Sequence, residues 1–144
     1  MAKTESFYTL LDHTADLGIR VWGADLKRLF ENAGKALMQI LLYGESLQKS
    51  LPKKISLSGD DLADLMVRWL GEILYLLDSR RFLVGAVESV ELTKGDSGYN
   101  LKAVFKGDIQ EQQYEIFGDV KAITYNEMLV QQSDPCMVQV VVDM

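Results

Sequence analysis

Met137-Val138-Gln139-Val140-Val141-Val142-Asp143-Met144 is a β-branched run in which apolar residues occupy both alternating sets of positions. A strand with one wet face alternates apolar with polar side chains, so this run predicts a central strand covered on both faces. Ser133-Asp134-Pro135 precedes it and reads as a turn from another strand over 123–130. The fold is therefore expected to be organised around a sheet with residues 137–142 in its interior.

Working outward, β-branched and aromatic residues with partial alternation predict strands over 7–11, 17–22, 54–58 and 82–92. Lys94-Gly95-Asp96-Ser97-Gly98 reads as a hairpin loop between 90–93 and 99–105. Two stretches follow a different period. Leu26, Leu29, Phe30, Ala33, Leu37, Ile40 and Leu41 recur at spacings of three and four behind Asp25, with Gly44 beyond, and predict an amphipathic helix over 25–42. Leu62, Leu65, Met66, Trp69, Ile73, Leu76 and Leu77 behind Asp60 and Asp61 predict a second over 60–78. Both prolines are assigned to turns, and Trp22 and Trp69 to the core. The expectation is an α+β, two-layer domain, a mixed β-sheet with two amphipathic helices packed on one face. With no repeat, low-complexity tract or linker, residues 1–144 read as a single domain.

Composition narrows the function. At 48% hydrophobic and 25% charged the chain is neither disordered nor fibrous. No apolar stretch reaches the roughly 18 residues needed to cross a bilayer, and no leader pattern opens the chain, so a soluble cytoplasmic protein without membrane association is expected. One cysteine and one histidine exclude a disulfide framework, thiolate zinc sites and multi-histidine centres. Fifteen Lys and Arg against twenty-one Asp and Glu give a net charge of −6, which repels phosphate backbones and favours basic protein partners or cations. Direct nucleic-acid binding is not expected. Phosphate-binding glycine loops, nucleophile elbows and dinucleotide fingerprints are absent. Cys136 has no activating base nearby in sequence.

Two places can carry chemistry. Asp12-His13-Thr14-Ala15-Asp16-Leu17-Gly18 joins two predicted strands and gathers the lone histidine, two carboxylates and a hydroxyl. Asp16 and Thr14 can simply satisfy backbone donors in a tight turn, with His13 at the sheet edge. Asp143, followed by Met144 and its carboxylate, ends the central strand. Those charges can be solvated at a frayed end. If Asp16 lies beside them, three negative groups converge and either one pKa rises or a hard cation such as Ca²⁺ or Mg²⁺ is recruited. Glu72 falls on the rim of the second helix's apolar stripe, as an ion-pair partner or a functional carboxylate. Lys121 shares a strand face with Ile123 and Tyr125 and is a candidate counter-ion to the acidic cluster, or snorkels into water.

Together the motifs resemble the archease family. DHTADLG at Asp12 to Gly18, V-x-G and a helix from Val21 to Phe30, RWLGEILYLLD at Arg68 to Asp78, VKAITY at Val120 to Tyr125 and VVVDM at Val140 to Met144 occur in the family's order over nearly the whole chain. One departure is Asn126, where many members have His; Asn keeps hydrogen bonding but not the imidazole. The resemblance implies a non-enzymatic activator of an RtcB-type tRNA-splicing RNA ligase, promoting ligase guanylylation and multiple turnover and broadening nucleotide use. It implies a divalent cation, calcium foremost with Mg²⁺ or Mn²⁺ as alternatives, held by Asp16, Asp143 and Met144. It also implies lesser roles in activation for His13, Glu72 and Lys121. Two other readings stay open: a metal-dependent phosphohydrolase or nuclease using the same carboxylates, and a general chaperone-like scaffold.

Overall fold

A computed structural model describes residues 7–11, 17–116, 122–132 and 135–143, with the backbone alone for 125–127. Its elements, in order, are β1 (Tyr8–Leu11), β2 (Leu17–Gly23), α1 (Leu26–Leu41), β3 (Leu51–Gly59), α2 (Leu62–Arg80), β4 (Phe82–Gly95), β5 (Gly98–Ile109), β6 (Ala122–Gln131) and β7 (Cys136–Asp143). The α+β class and the two amphipathic helices are as expected. The strands, however, form two hydrogen-bonded sheets, ordered β1-β2-β7-β6 and β3-β5-β4, rather than one. Every pairing is antiparallel, not mixed, because neighbouring strands are joined largely by hairpins and none by a parallel crossover. β7 is an interior strand between β2 and β6, as expected, but it is not covered equally on both faces: Met137 and Gln139 are only half-buried.

Both helices start as their sequences dictate. Asp25 Oδ1 accepts from the Arg28 amide at 2.8 Å, and Asp61 Oδ1 from the Asp64 amide at 2.8 Å, satisfying donors that have no intrahelical partner. Asp64 reaches back to the Asp60 amide at 3.0 Å. α1 ends in a Schellman turn, with the Gly44 amide on the Gln39 carbonyl at 2.9 Å and Tyr43 left-handed at φ 54°. α2 runs to Arg80, beyond the expected 78, because no Gly or Pro stops it; Arg81 caps it in the left-handed region. Pro52 lies within β3 rather than in a turn, tolerated because β3 is an edge strand.

The buried residues of α1 sweep about 200° of its circumference, far more than a single sheet face demands. The reason is that α1 packs on β1, β2 and β7 of one sheet and on β4 of the other, while α2 packs on β6 and on β3, β4 and β5. Among the described residues no strand of one sheet packs directly on a strand of the other; the helices join them. One contiguous apolar cluster results, with Val138, Val140 and Val142 of β7 on one side and Val84, Leu101 and Phe105 on the other. Trp69 of α2 sits at its centre, 0% exposed, and donates its indole N–H to the Phe30 carbonyl of α1 at 2.7 Å. Its ring lies 5.1 Å from that of Phe105 and makes an edge contact with Phe30. Trp22, by contrast, is only half-buried, since it falls on the face of β2 turned away from the helices.

Trp69→Ala is expected to lower the unfolding free energy by about 3–5 kcal/mol, and Trp69→Phe by less, because it keeps most of the volume but loses the N–H. Urea unfolding measures both. A loss below about 1 kcal/mol for Trp69→Ala would remove the indole from its central role.

Candidate functional site at one end of the four-stranded sheet

The register of the four-stranded sheet gathers four strand termini. Leu11 at the end of β1 pairs with Gly18, Leu17 at the start of β2 pairs with Val142, and Ala122 at the start of β6 pairs with Asp143. Leu11 and Leu17, the described residues on either side of 12–16 in sequence, both stand at the end of the sheet that bears Asp143. Asp143 is exposed, and its carboxylate makes no hydrogen bond or ion pair among the described residues. This end is supported from behind by Val142 and Val140, both fully buried, and laterally by Arg20, whose guanidinium grips Gln139 Oε1 across the strands at 2.6 and 3.1 Å. His13, Asp16, Lys121 and Met144 lie outside the described residues. Among the described residues no group of three His, Cys, Asp or Glu stands close enough to hold a metal.

Glu72 stands in the middle of α2. It is half-buried on α2 and lines a groove of about 470 Å³ between that helix and residues 56–58 of β3, with Gly71 and Tyr75 as helix neighbours. Asp143 does not line that groove. Asn126 belongs to a stretch of β6 where residues 125–128 stand against Val140 alone, an irregularity that breaks the ladder next to the sheet end.

One ionisable pair was not legible in the sequence. Asp108, 3% exposed at the end of β5, accepts the Tyr114 hydroxyl at 2.6 Å and the Ile109 amide at 2.8 Å. The hydroxyl in turn accepts the Gln48 amide at 2.8 Å, so the pair ties the loop after α1 to the segment after β5. Tyr114, 8% exposed, also packs with Leu42 and Leu83 in a small apolar cluster apart from the main core. The Tyr114 hydrogen bond, against the opposing effect of burial, holds the Asp108 carboxyl below its ordinary value, with help from the Ile109 amide and the Lys49 charge. Burial first, then the Asp108 hydrogen bond, pushes the Tyr114 phenol up. Nothing in Asp108-Ile109-Gln110-Glu111-Gln112-Gln113-Tyr114 announces this pairing, since it follows neither a helical nor a strand period.

The sequence profile of the Archease protein family (MTH1598/TM1083) matches residues 8–144. The protein archease of Pyrobaculum neutrophilum is 36% identical over 139 residues, covering 94% of each chain. That of Methanosarcina acetivorans is 31% identical over 138 residues, again covering 94% of each. Among solved structures, the solution structure of Methanobacterium thermoautotrophicum protein 1598 superposes with a TM-score of 0.78 at 24% identity, over 95% of this chain and 98% of its own. The last likeness establishes the fold alone.

The Asp108–Tyr114 pair has a definite pH signature. A depressed carboxyl contributes stability above the unfolded value of about 3.9, lost as pH falls through the lower folded value; a raised phenol contributes below about 10, lost as pH rises through the higher folded one. Tyr114→Phe is therefore expected to lower Tm at neutral pH and to flatten the acid limb of the Tm–pH curve, so that the gap between the two proteins narrows as pH falls below about 3.9. A gap that stays constant from neutral to acid pH would refute the assignment.

Proposed function

Since the chain belongs to the archease family, we propose that it is a non-catalytic activator of an RtcB-type tRNA-splicing RNA ligase. It promotes guanylylation and multiple turnover of that ligase, broadens its nucleotide use, and works in the cytoplasm. The observation that supports this reading is the meeting of strand ends beside Asp143: Leu17, which follows Asp16 in sequence, pairs with Val142, which precedes Asp143. No described helix is long and apolar enough to cross a membrane.

The donor chemistry fits a hard divalent cation. Asp143 is an exposed carboxylate with no competing partner among the described residues, and carboxylate oxygens suit Ca²⁺, Mg²⁺ or Mn²⁺ rather than softer ions. Asp16, Asp143 and Met144 are the residues proposed to hold it, with calcium the first candidate. Bound there, the cation supplies positive charge able to meet phosphate oxygens. The chain's own contribution is positional: the buried β7 valines fix where Asp143 emerges, and Arg20 on Gln139 keeps β2 and β7 in register. His13, Glu72 and Lys121 are proposed to assist activation, His13 three positions from Asp16 in sequence, Lys121 as a counter-ion to the acidic cluster and Glu72 through the groove beside α2.

Multiple-turnover ligation of a tRNA-like substrate by the cognate ligase tests this. The unmodified chain is expected to raise turnover, and Asp16→Ala or Asp143→Ala to cut that stimulation by more than about tenfold with the unfolding midpoint unchanged in the absence of metal. No stimulation by the folded, unmodified chain overturns the proposal. Metal-dependent hydrolysis of RNA or nucleotides by the chain alone would put the phosphohydrolase reading in its place.

A further inference from the structure

Among the described residues, β3 is the one strand in which no residue is buried. It hydrogen-bonds only to β5, so its other edge offers unpaired backbone groups. Soluble proteins blunt such edges with proline and lysine, and the first half of β3 carries Pro52, Lys53 and Lys54. The second half, Ile55-Ser56-Leu57-Ser58-Gly59, has neither charge nor proline. Ser56, Leu57 and Ser58 of that unguarded half line the groove against α2.

The groove has its own chemistry. A Cβ at Gly71 would meet nothing within 4 Å, so the helix surface there is open, and Tyr75 is 47% exposed beside it. Leu57 lines this space and remains only half-buried. Arg68 also lines the groove, but its guanidinium is engaged by Asp64 at 3.2 Å. Glu72 makes no ion pair among the described residues, so the groove carries one uncompensated negative charge. Glu72 and Tyr75, three positions apart, are neighbours on the helix surface.

We propose that the 55–59 edge of β3 accepts an additional strand from a basic protein partner, and that an Arg or Lys of that strand lies along the Tyr75 ring with its head group at Glu72. Main-chain hydrogen bonds supply the affinity of such an addition, and the side-chain groove its selectivity. An aromatic face beside a carboxylate is suited to the stem and charge of one basic side chain. A second copy of this chain is the poorer occupant, because pairing sets two bodies of net charge −6 against each other. The identity of the partner as the RNA ligase rests on the function proposed above.

The test is titration of the purified ligase with the unmodified chain and with Glu72→Lys, Glu72→Gln and Tyr75→Ala, reading binding and the concentration giving half-maximal stimulation. Both side chains are at the surface, and matching thermal melts verify that the variants fold. Glu72→Lys and Tyr75→Ala are expected to raise the dissociation constant and the half-maximal concentration by about tenfold or more, and Glu72→Gln by less. Amide hydrogen exchange at 55–59 is expected to slow on complex formation. Unaltered binding by Glu72→Lys and Tyr75→Ala, no added protection at 55–59, or a homodimer that Tyr75→Ala dissociates overturns the groove and leaves the activator role standing. A ligase that the unmodified chain neither binds nor stimulates overturns both.

Discussion

The indole of Trp69 is the point through which the architecture is tied together. Its hydrogen bond to the Phe30 carbonyl fixes α2 against α1, and its ring packs on Phe105 of the three-stranded sheet. The close approach is made possible by Gly34 on α1, where a Cβ would stand 3.2 Å from the indole ring. Among the described residues no strand of one sheet packs on a strand of the other, so the packing of the helix pair carries their mutual orientation. The indole N–H, paired inside that helix contact, helps to hold it.

Each helix is also joined to its preceding strand in the same way. β2 ends in Gly23-Ala24-Asp25-Leu26 and β3 in Gly59-Asp60-Asp61-Leu62, with the aspartate capping the helix in both. In each case the glycine lies against the backbone six residues on: a Cβ at Gly23 would be 2.5 Å from the Leu29 amide nitrogen, and one at Gly59 2.7 Å from that of Leu65. The chain turns from strand to helix so tightly that no side chain fits inside the corner. The two joints share their solution although no longer sequence repeat connects them.

These features explain which parts of the fold were legible. Local signals succeeded: the capping aspartates, the three-four spacing of both helices and the unalternating valines of β7 each report their own surroundings. The division into two sheets was not legible, because nothing in β4 or β5 states which face a helix covers, and pairing partners are a non-local property. Pro52 misled because a proline signals a turn only where its missing N–H would matter, and on the edge of β3 it does not. For the site, Asp143 could be found as the polar end of a buried strand and Glu72 as a rim residue of α2. The Asp108–Tyr114 pair and the groove beside β3 depend on how elements distant in sequence come together, which periodicity does not encode.

Arg20 and Gln139, hydrogen-bonded across β2 and β7, are 119 positions apart in sequence. The β3-β5-β4 sheet and α2, in contrast, draw on one continuous stretch, Leu51–Ile109. Contacts of long sequence span close late, since their loop entropy must be met before they reward the chain. The β2–β7 pairing therefore carries the larger loop-closure cost, and the position of Asp143 depends on it. The sheet end that bears Asp143 is held by contacts that join the two ends of the chain, so its geometry is sensitive to anything that weakens their pairing.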